Sequence, residues 1–332
     1  MGLKSFSGGV HPHDFKAYSK DAPIEEMAIP KKVIIPLSQH IGAPANPVVK
    51  VGDRVQTGQL IAESSAFVSL SMHSSVTGKV TKIDMFPHPG GFQSMAIEIE
   101  TEQTDEWVDL TDNEHYLDLS VDEMKTRIAN AGVCGMGGAG FPTHVKLSPP
   151  ADKPIDTVIL NGVECEPYLT ADYRVMLEKT QEIIEGLKIL MKVVGASQGF
   201  IGIEANKPDA IQKMTEFVKN ESNISVVGLH LKYPQGAEKQ LIYACTKRKV
   251  PNKGGLPSAV KVVVQNVGTA IAVYEAVRYK KPLIDRVLTI TGKIVKSPKN
   301  LKARLGTPFS ELVDKCGGTT EDIAKIISDD PM

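Results

Sequence analysis

Long apolar runs are missing from these 332 residues. No stretch approaches the roughly 18 apolar residues that span a bilayer, and the opening Met1-Gly2-Leu3-Lys4-Ser5-Phe6 has no apolar core of signal-peptide length. Work at a membrane is therefore expected only from a peripheral position. Charge of one sign is missing too: a net charge of -1 gives no reason to invoke nucleic acid. Cysteine is scarce, and Cys134, Cys165, Cys245 and Cys316 form no C-x-x-C pair. Neither a zinc knuckle nor an iron–sulfur cluster is then expected within the chain, and scattered, reduced cysteines suit a cytoplasmic protein. His11-Pro12-His13 is readable as a metal pair, but two histidines beside a proline in a mobile terminus more simply carry no role. With 42% hydrophobic and 23% charged residues the composition is ordinary globular material, and the length predicts two or three domains.

The first sustained apolar run is Lys32-Val33-Ile34-Ile35-Pro36-Leu37, behind Pro30 at the entrance of a strand, where no ladder donor is needed. Residues 48–63 and 75–83 follow as short apolar runs punctuated by Gly-Asp and Thr-Gly turns. This succession resembles the barrel-sandwich of biotinyl and lipoyl carrier domains. Those carriers present a lysine on the hairpin between the two units, yet from Val51 to Gly78 there is no lysine at all. The module is read as structural or docking, with Met72 and His73 as solvent-side loop residues.

An acidic stretch over residues 101–119, carrying Glu102, Asp105, Glu106, Asp109, Asp112, Glu114 and Asp118, reads as a solvated linker. Ser120-Val121-Asp122-Glu123 is a capping box and predicts a helix to about Asn130. Apolar strands then alternate with helical patterns in the manner of an α/β sheet. Strands are expected at 155–160, 200–204, 224–231 and 261–264; helices at 173–194, after Pro208, at 237–246 and at 268–279. Ligands of such sheets gather at the carboxyl ends of the strands.

Five of the nine residues 132–140 are glycine, followed by Phe141, Pro142 and Lys146. Glycines let backbone N–H groups approach a bulky anion or planar ring. The stretch follows a helix rather than a strand, so it is not the dinucleotide fingerprint that opens a helix after a strand. It is either a flexible turn or a cradle for a phosphate-bearing cofactor, and Phe141 and Lys146 favour the cradle. Two strand ends carry matching chemistry: Asn161-Gly162-Val163-Glu164-Cys165-Glu166-Pro167 and Gln265-Asn266-Val267-Gly268-Thr269. Each alone reads as turn chemistry and helix capping.

Residues 135–147, 161–167, 236–240 and 265–269 resemble, in order, the FMN- and NADH-binding segments of the flavoprotein subunit of respiratory complex I. The nearer resemblance is to the RnfC subunit of the Rnf ion-translocating electron-transport complex, whose opening Gly8-Gly9-Val10-His11-Pro12 and carrier-like first module the chain shares. It covers nearly the whole chain. The fold it implies is multidomain α/β: an extension at 1–29, an all-β barrel-sandwich (biotinyl/lipoyl-like) at 30–100, the acidic linker at 101–119, a Rossmann-like α/β nucleotide-binding domain at 120–281, and the start of a β-grasp-like SLBB domain at 282–332.

The resemblance further implies that the backbone of Gly135, Gly137, Gly138 and Gly140 serves FMN and its phosphate, with Lys146 as cationic partner. Asn161 and Glu164 would bond the flavin side, Phe141 would stack on nicotinamide or adenine, and Glu166 and Glu238 would line the nucleotide pocket. Gly236, Asn266 and Thr269 would complete the phosphate and ribityl contacts. The implied activity is hydride exchange between NAD(H) and FMN in a ferredoxin:NAD oxidoreductase. Its implied partners are the other Rnf subunits and, indirectly, ferredoxin, at the cytoplasmic face of the bacterial inner membrane. Complex I flavoproteins carry arginine where Met136 stands and aspartate where Val163 stands, departures that bear on FMN affinity. The family is expected to continue beyond Met332 with the rest of the SLBB domain and two [4Fe-4S] clusters, which would make this chain a fragment. Alternatives are a non-catalytic scaffold, like the related subunit of sodium-pumping quinone reductases, or a cobalamin-reducing flavoprotein.

Overall fold

The computed structural model describes residues 2–252 and 254–328. Among the described residues, fourteen strands in four sheets are joined by eight α-helices. The first strand, β1 (Ile24–Glu26), is three residues long; β2 (Lys32–Pro36) begins a two-sheet sandwich with β3 (Asn46–Pro47), β4 (Arg54–Val55), β5 (Leu60–Glu63), β6 (Met72–His73), β7 (Gly78–Pro87) and β8 (Gln93–Thr101). One sheet runs β2-β8-β7-β4, the other β3-β5-β6. Alternation along the strands turns Val33, Ile35, Val80, Ile97 and Ile99 inward, where they are buried. Each such side chain removed from water stabilises the fold by about 1.5–3 kcal/mol. Met72 and His73, expected in a solvent-side loop, instead form β6: Met72 is buried and His73 half-buried, because β6 pairs with β5 and closes the sandwich.

The acidic stretch is not a free linker. Arg54 binds Glu102 and Glu106, Arg304 binds Asp105, and Arg278 binds Asp112, while the Thr57 N–H donates to the Glu106 carbonyl at 2.9 Å. Its acidity is matched by basic side chains from three parts of the chain. At its end the buried Tyr116 hydroxyl donates to Glu185 at 2.5 Å.

The central layer opens with α1 (Val121–Asn130), which Ser120 caps by accepting the Glu123 N–H, as the capping box predicts. A four-residue turn of helix, α2 (Thr143–Lys146), precedes β9 (Thr157–Gly162). The helix expected over 173–194 is two, α3 (Ala171–Glu178) and α4 (Thr180–Val194). Lys179 leaves helical geometry between them, and the Thr180 hydroxyl donates to the Met176 carbonyl, local side-chain bonding that competes with a continuous helix. Then follow β10 (Gln198–Glu204), α5 (Pro208–Phe217), β11 (Ile224–Leu229), α6 (Glu238–Thr246), β12 (Val262–Asn266) and α7 (Val267–Tyr279). The sheet is parallel with order β11-β10-β9-β12. Helices α1, α4, α5 and α7 share a core on one face, and α6 packs with Ile159 and Val264 in a separate core on the other. At the crossing of α4 and α7 only glycine fits: a Cβ on Gly186 would lie 2.0 Å from the Ala270 carbonyl oxygen.

The last sheet has order β1-β14-β13, built from β13 (Asp285–Ile290) and β14 (Lys299–Arg304) with β1 added parallel to β14. Helix α8 (Phe309–Lys315) covers it through Leu312. The N-terminal residues, read as a mobile terminus, are strapped down: Lys4 bridges Leu229 beside the edge strand β11, Val10 bridges Tyr233, and the buried Lys16 ammonium donates to the Glu166 and Leu169 carbonyls at 2.9 and 2.6 Å. Among the described residues no helix is long and apolar enough to cross a membrane.

Candidate functional site

The chain direction changes side at β9, whose neighbours are β10 and β12, and a crevice forms at such a switch point outside the carboxyl ends of the strands. Asn161 and Asn266 are register partners there. Their amides brace the frame: Asn161 Nδ2 donates to the Gly236 carbonyl at 2.8 Å and its Oδ1 accepts the Val163 N–H at 3.2 Å. Asn266 caps α7, Oδ1 accepting from the Gly268 and Thr269 N–H groups, while its Nδ2 donates to Asp172 at 2.6 Å. Glu164 sits at φ 49°, a strained conformation for a non-glycine residue, and its carboxylate accepts the Asp172 and Tyr173 N–H groups at the start of α3.

The glycine loop lies over this frame. It is pinned at one end where the Met136 N–H donates to Thr269 Oγ1 at 2.9 Å, and at the other where the Ile41 N–H of the sandwich donates to the Gly140 carbonyl at 3.1 Å. The Gly135 N–H closes the loop on the Phe141 carbonyl at 2.8 Å. Between the pins residues 137–139 are exposed. Gly138 has φ +117° and nothing within 4 Å of where a Cβ would stand, whereas a Cβ on Gly137 would lie 3.4 Å from the Asn266 side chain. An open stretch of glycine backbone held rigidly at both ends, above a helix start, is the donor chemistry that a phosphate-bearing ring cofactor such as FMN requires, and the residues present fit it.

Lys146 and Glu238 are brought to the same rim but to each other, as a 2.7 Å ion pair. Phe141 is half-buried beside the loop. Glu166 lies on the N-terminal side, where Lys16 holds its carbonyl. The Gly236 N–H donates to Cys165 Sγ at 3.3 Å, and burial pushes that thiol up to about 11. Beneath the strand ends lies a fully buried pair, Glu204 and Lys207, 3.7 Å apart. Burial raises Glu204 to about 7 and lowers Lys207, whose ammonium donates to the Val163 carbonyl at 2.7 Å. Burial, with Glu164 alongside, also raises Asp172.

Sequence reasoning missed four residues. Asp172 stands one position before the helix expected over 173–194, and the Glu204–Lys207 pair reads locally as a strand end and a loop lysine. Arg286 of β13 donates to the Met136 carbonyl at 2.8 Å across 150 positions of sequence, and no local pattern announces that contact.

Compared with known proteins, residues 128–275 match the Nuo51 FMN-binding domain, residues 4–104 the RnfC barrel sandwich hybrid domain, and residues 287–332 the SLBB domain. The RnfC-type subunit of the proton-translocating ferredoxin:NAD(+) oxidoreductase complex of Clostridium ljungdahlii is 54% identical over 99% of this chain and 72% of its own length. Its counterpart in the Na(+)-translocating complex of Acetobacterium woodii is 46% identical over 99% of this chain and 74% of its length. The corresponding subunit of the ion-translocating oxidoreductase complex of Rhodobacter capsulatus is 40% identical, over 99% and 64%. A solved NAD+-reducing [NiFe]-hydrogenase is 20% identical, covers 60% of this chain and 39% of its own, and superposes with a TM-score of 0.49.

Proposed function

Because the chain belongs to the RnfC family, the family of that subunit in ion-translocating ferredoxin:NAD+ oxidoreductase complexes, we propose that the loop at 135–141 is its FMN seat and the place where NAD(H) meets the flavin. It is an oxidoreductase subunit working with the other subunits of that complex. Ferredoxin is served indirectly, through them, and the chain stands peripherally at the cytoplasmic face of the membrane. The observation that carries the reading is the open Gly137-Gly138-Ala139 backbone, in a loop pinned by Thr269 and Ile41.

When bound, FMN supplies the exchange of a hydride with the nicotinamide, so no residue of the chain need act as nucleophile. The chain supplies binding and orientation. Gly135, Gly137, Gly138 and Gly140 present backbone to the flavin, and Phe141 offers an aromatic face to the nucleotide. Asn161, Glu164, Asn266 and Thr269 hold the loop and helix starts in place through the bonds described above, a preorganisation that fixes the reacting partners before they meet. Gly236, Glu166 and the Lys146–Glu238 pair line the side on which the nucleotide would lie. Residues 30–100 act as a docking module whose Ile41 closes one end of the loop, residues 120–281 as the nucleotide-binding domain, and residues 282–332 as the SLBB part.

Titrating the chain with FMN and following flavin fluorescence tests this. Saturable quenching is expected, lost in Ala139→Trp, which adds bulk to the open part of the loop at an exposed position free of left-handed backbone. A folded chain that shows no saturable FMN binding at high micromolar ligand would favour the scaffold reading.

A further inference from the structure

We propose that the Arg286 guanidinium is the cation that receives the flavin phosphate, forming a phosphate seat with residues 136–138 and the start of α7. This rests on the flavin reading above and replaces the cationic role that the resemblance assigned to Lys146. Two cations stand at the loop and they differ in what already holds them. Lys146 is neutralised by Glu238 at 2.7 Å. Arg286 is exposed and, among the described residues, donates a single hydrogen bond, to the neutral Met136 carbonyl, with no ion-pair partner within 4.0 Å. Its remaining N–H groups keep the planar fork that matches phosphate oxygens in pairs.

The surroundings favour an anion at that point. Met136 joins Arg286, through its carbonyl, to Thr269 Oγ1, through its N–H, so a single residue links the guanidinium to the first turn of the 13-residue α7. The N–H groups of Gly268 and Thr269 are already taken by Asn266 Oδ1, so the helix contributes its dipole more than free donors. The needed donors must then come from the loop backbone and from Arg286. Burial and Glu164 alongside push Asp172 toward its neutral form; Arg286 favours its charged form from a distance, but Asp172 is bonded to Asn266 Nδ2 and forms no ion pair with the guanidinium. The space before Gly138 is free of protein atoms within 4 Å of a notional Cβ. Since Arg286 belongs to β13, the seat is complete only when the C-terminal sheet is docked on the central domain.

The test separates the phosphate from the ring. FMN and riboflavin, identical but for the phosphate, are titrated by fluorescence into the full chain as wild type, Arg286→Gln and Arg286→Lys. Arg286→Gln is expected to weaken FMN by about 10- to 100-fold, the range for one charge-assisted hydrogen bond, and to leave riboflavin unchanged. Arg286→Lys should recover part of the FMN affinity, and the salt dependence of FMN binding should diminish in Arg286→Gln. Equal weakening of both ligands would show that Arg286 only props up Met136, and no weakening of either would show that it stands idle; each overturns the proposal. A wild-type chain that binds riboflavin and FMN equally also overturns it while sparing the flavin reading. One that binds neither removes both.

Discussion

His73 should make the sandwich sensitive to acid. Its imidazole lies in β6 against the small cavity shared with His40, Met72, Gly132 and Cys134, at the junction of the sandwich and the glycine-loop segment. Burial there lowers it from an ordinary 6.5 to about 4. For a base whose folded value lies below its unfolded one, the unfolded chain binds the extra proton between the two values. The stabilisation is therefore complete above pH 6.5 and is lost as pH falls through about 4. A difference of that size corresponds to about 3.5 kcal/mol at most, since one unit is about 1.4 kcal/mol. Trp107, the sole tryptophan, bridges Thr57 of the sandwich and so reports on its unfolding. Urea unfolding followed by Trp107 fluorescence at several pH values from 7 to 4 should show a steep loss in the wild type and a flatter profile in His73→Gln. Burial also lowers His40, whose Nε2 accepts the Leu70 N–H, so the remaining slope should shrink further in the double variant. Parallel loss of stability in wild type and His73→Gln across this range would refute the reasoning.

Gly186→Ala should destabilise the central domain by about 1–3 kcal/mol or more, because its Cβ meets the Ala270 carbonyl oxygen at 2.0 Å and α4 must part from α7; thermal unfolding checks it, and an unshifted midpoint contradicts it. Glu204 has its folded value raised to about 7, so its contribution is fully present below the ordinary carboxyl value near 4.5 and disappears as pH rises through 7. Wild type should accordingly gain on Glu204→Gln as pH is lowered from 7 to 4.5 in denaturant titrations, and a constant difference between the two would show that Glu204 does not titrate there.

Elements whose signals are local were legible in the sequence. The capping box at Ser120 gave α1 its start, and the alternation of apolar runs gave the parallel strands. What failed was set by tertiary partners. β1 is three residues with no alternation to read, and it exists because β14 offers an edge. Met72 and His73 are polarisable or polar residues that read as solvent-facing until β5 claims them. The acidic stretch carries the charge of a linker, and Arg54, Arg278 and Arg304, remote in sequence, help turn it into a strap. At the candidate site the glycine loop and the two strand-end amides stood out because glycine and asparagine have few other uses in such numbers. Two of the bonds did not: Asn161 to the Gly236 carbonyl and Asn266 Nδ2 to Asp172 join residues remote in sequence that only the packed sheet brings together. Arg286 could be placed only by the docking of the last sheet.

Hydride exchange at the glycine loop is tested most directly by loading the chain with FMN under anaerobic conditions and adding NADH while recording the flavin absorbance. Bleaching that saturates with NADH is expected in the wild type, with recovery on addition of an electron acceptor, and it should be absent in Ala139→Trp of unchanged circular dichroism. Flavin absorbance that stays constant in excess NADH, in a chain that has demonstrably bound FMN, would contradict a catalytic site at residues 135–141.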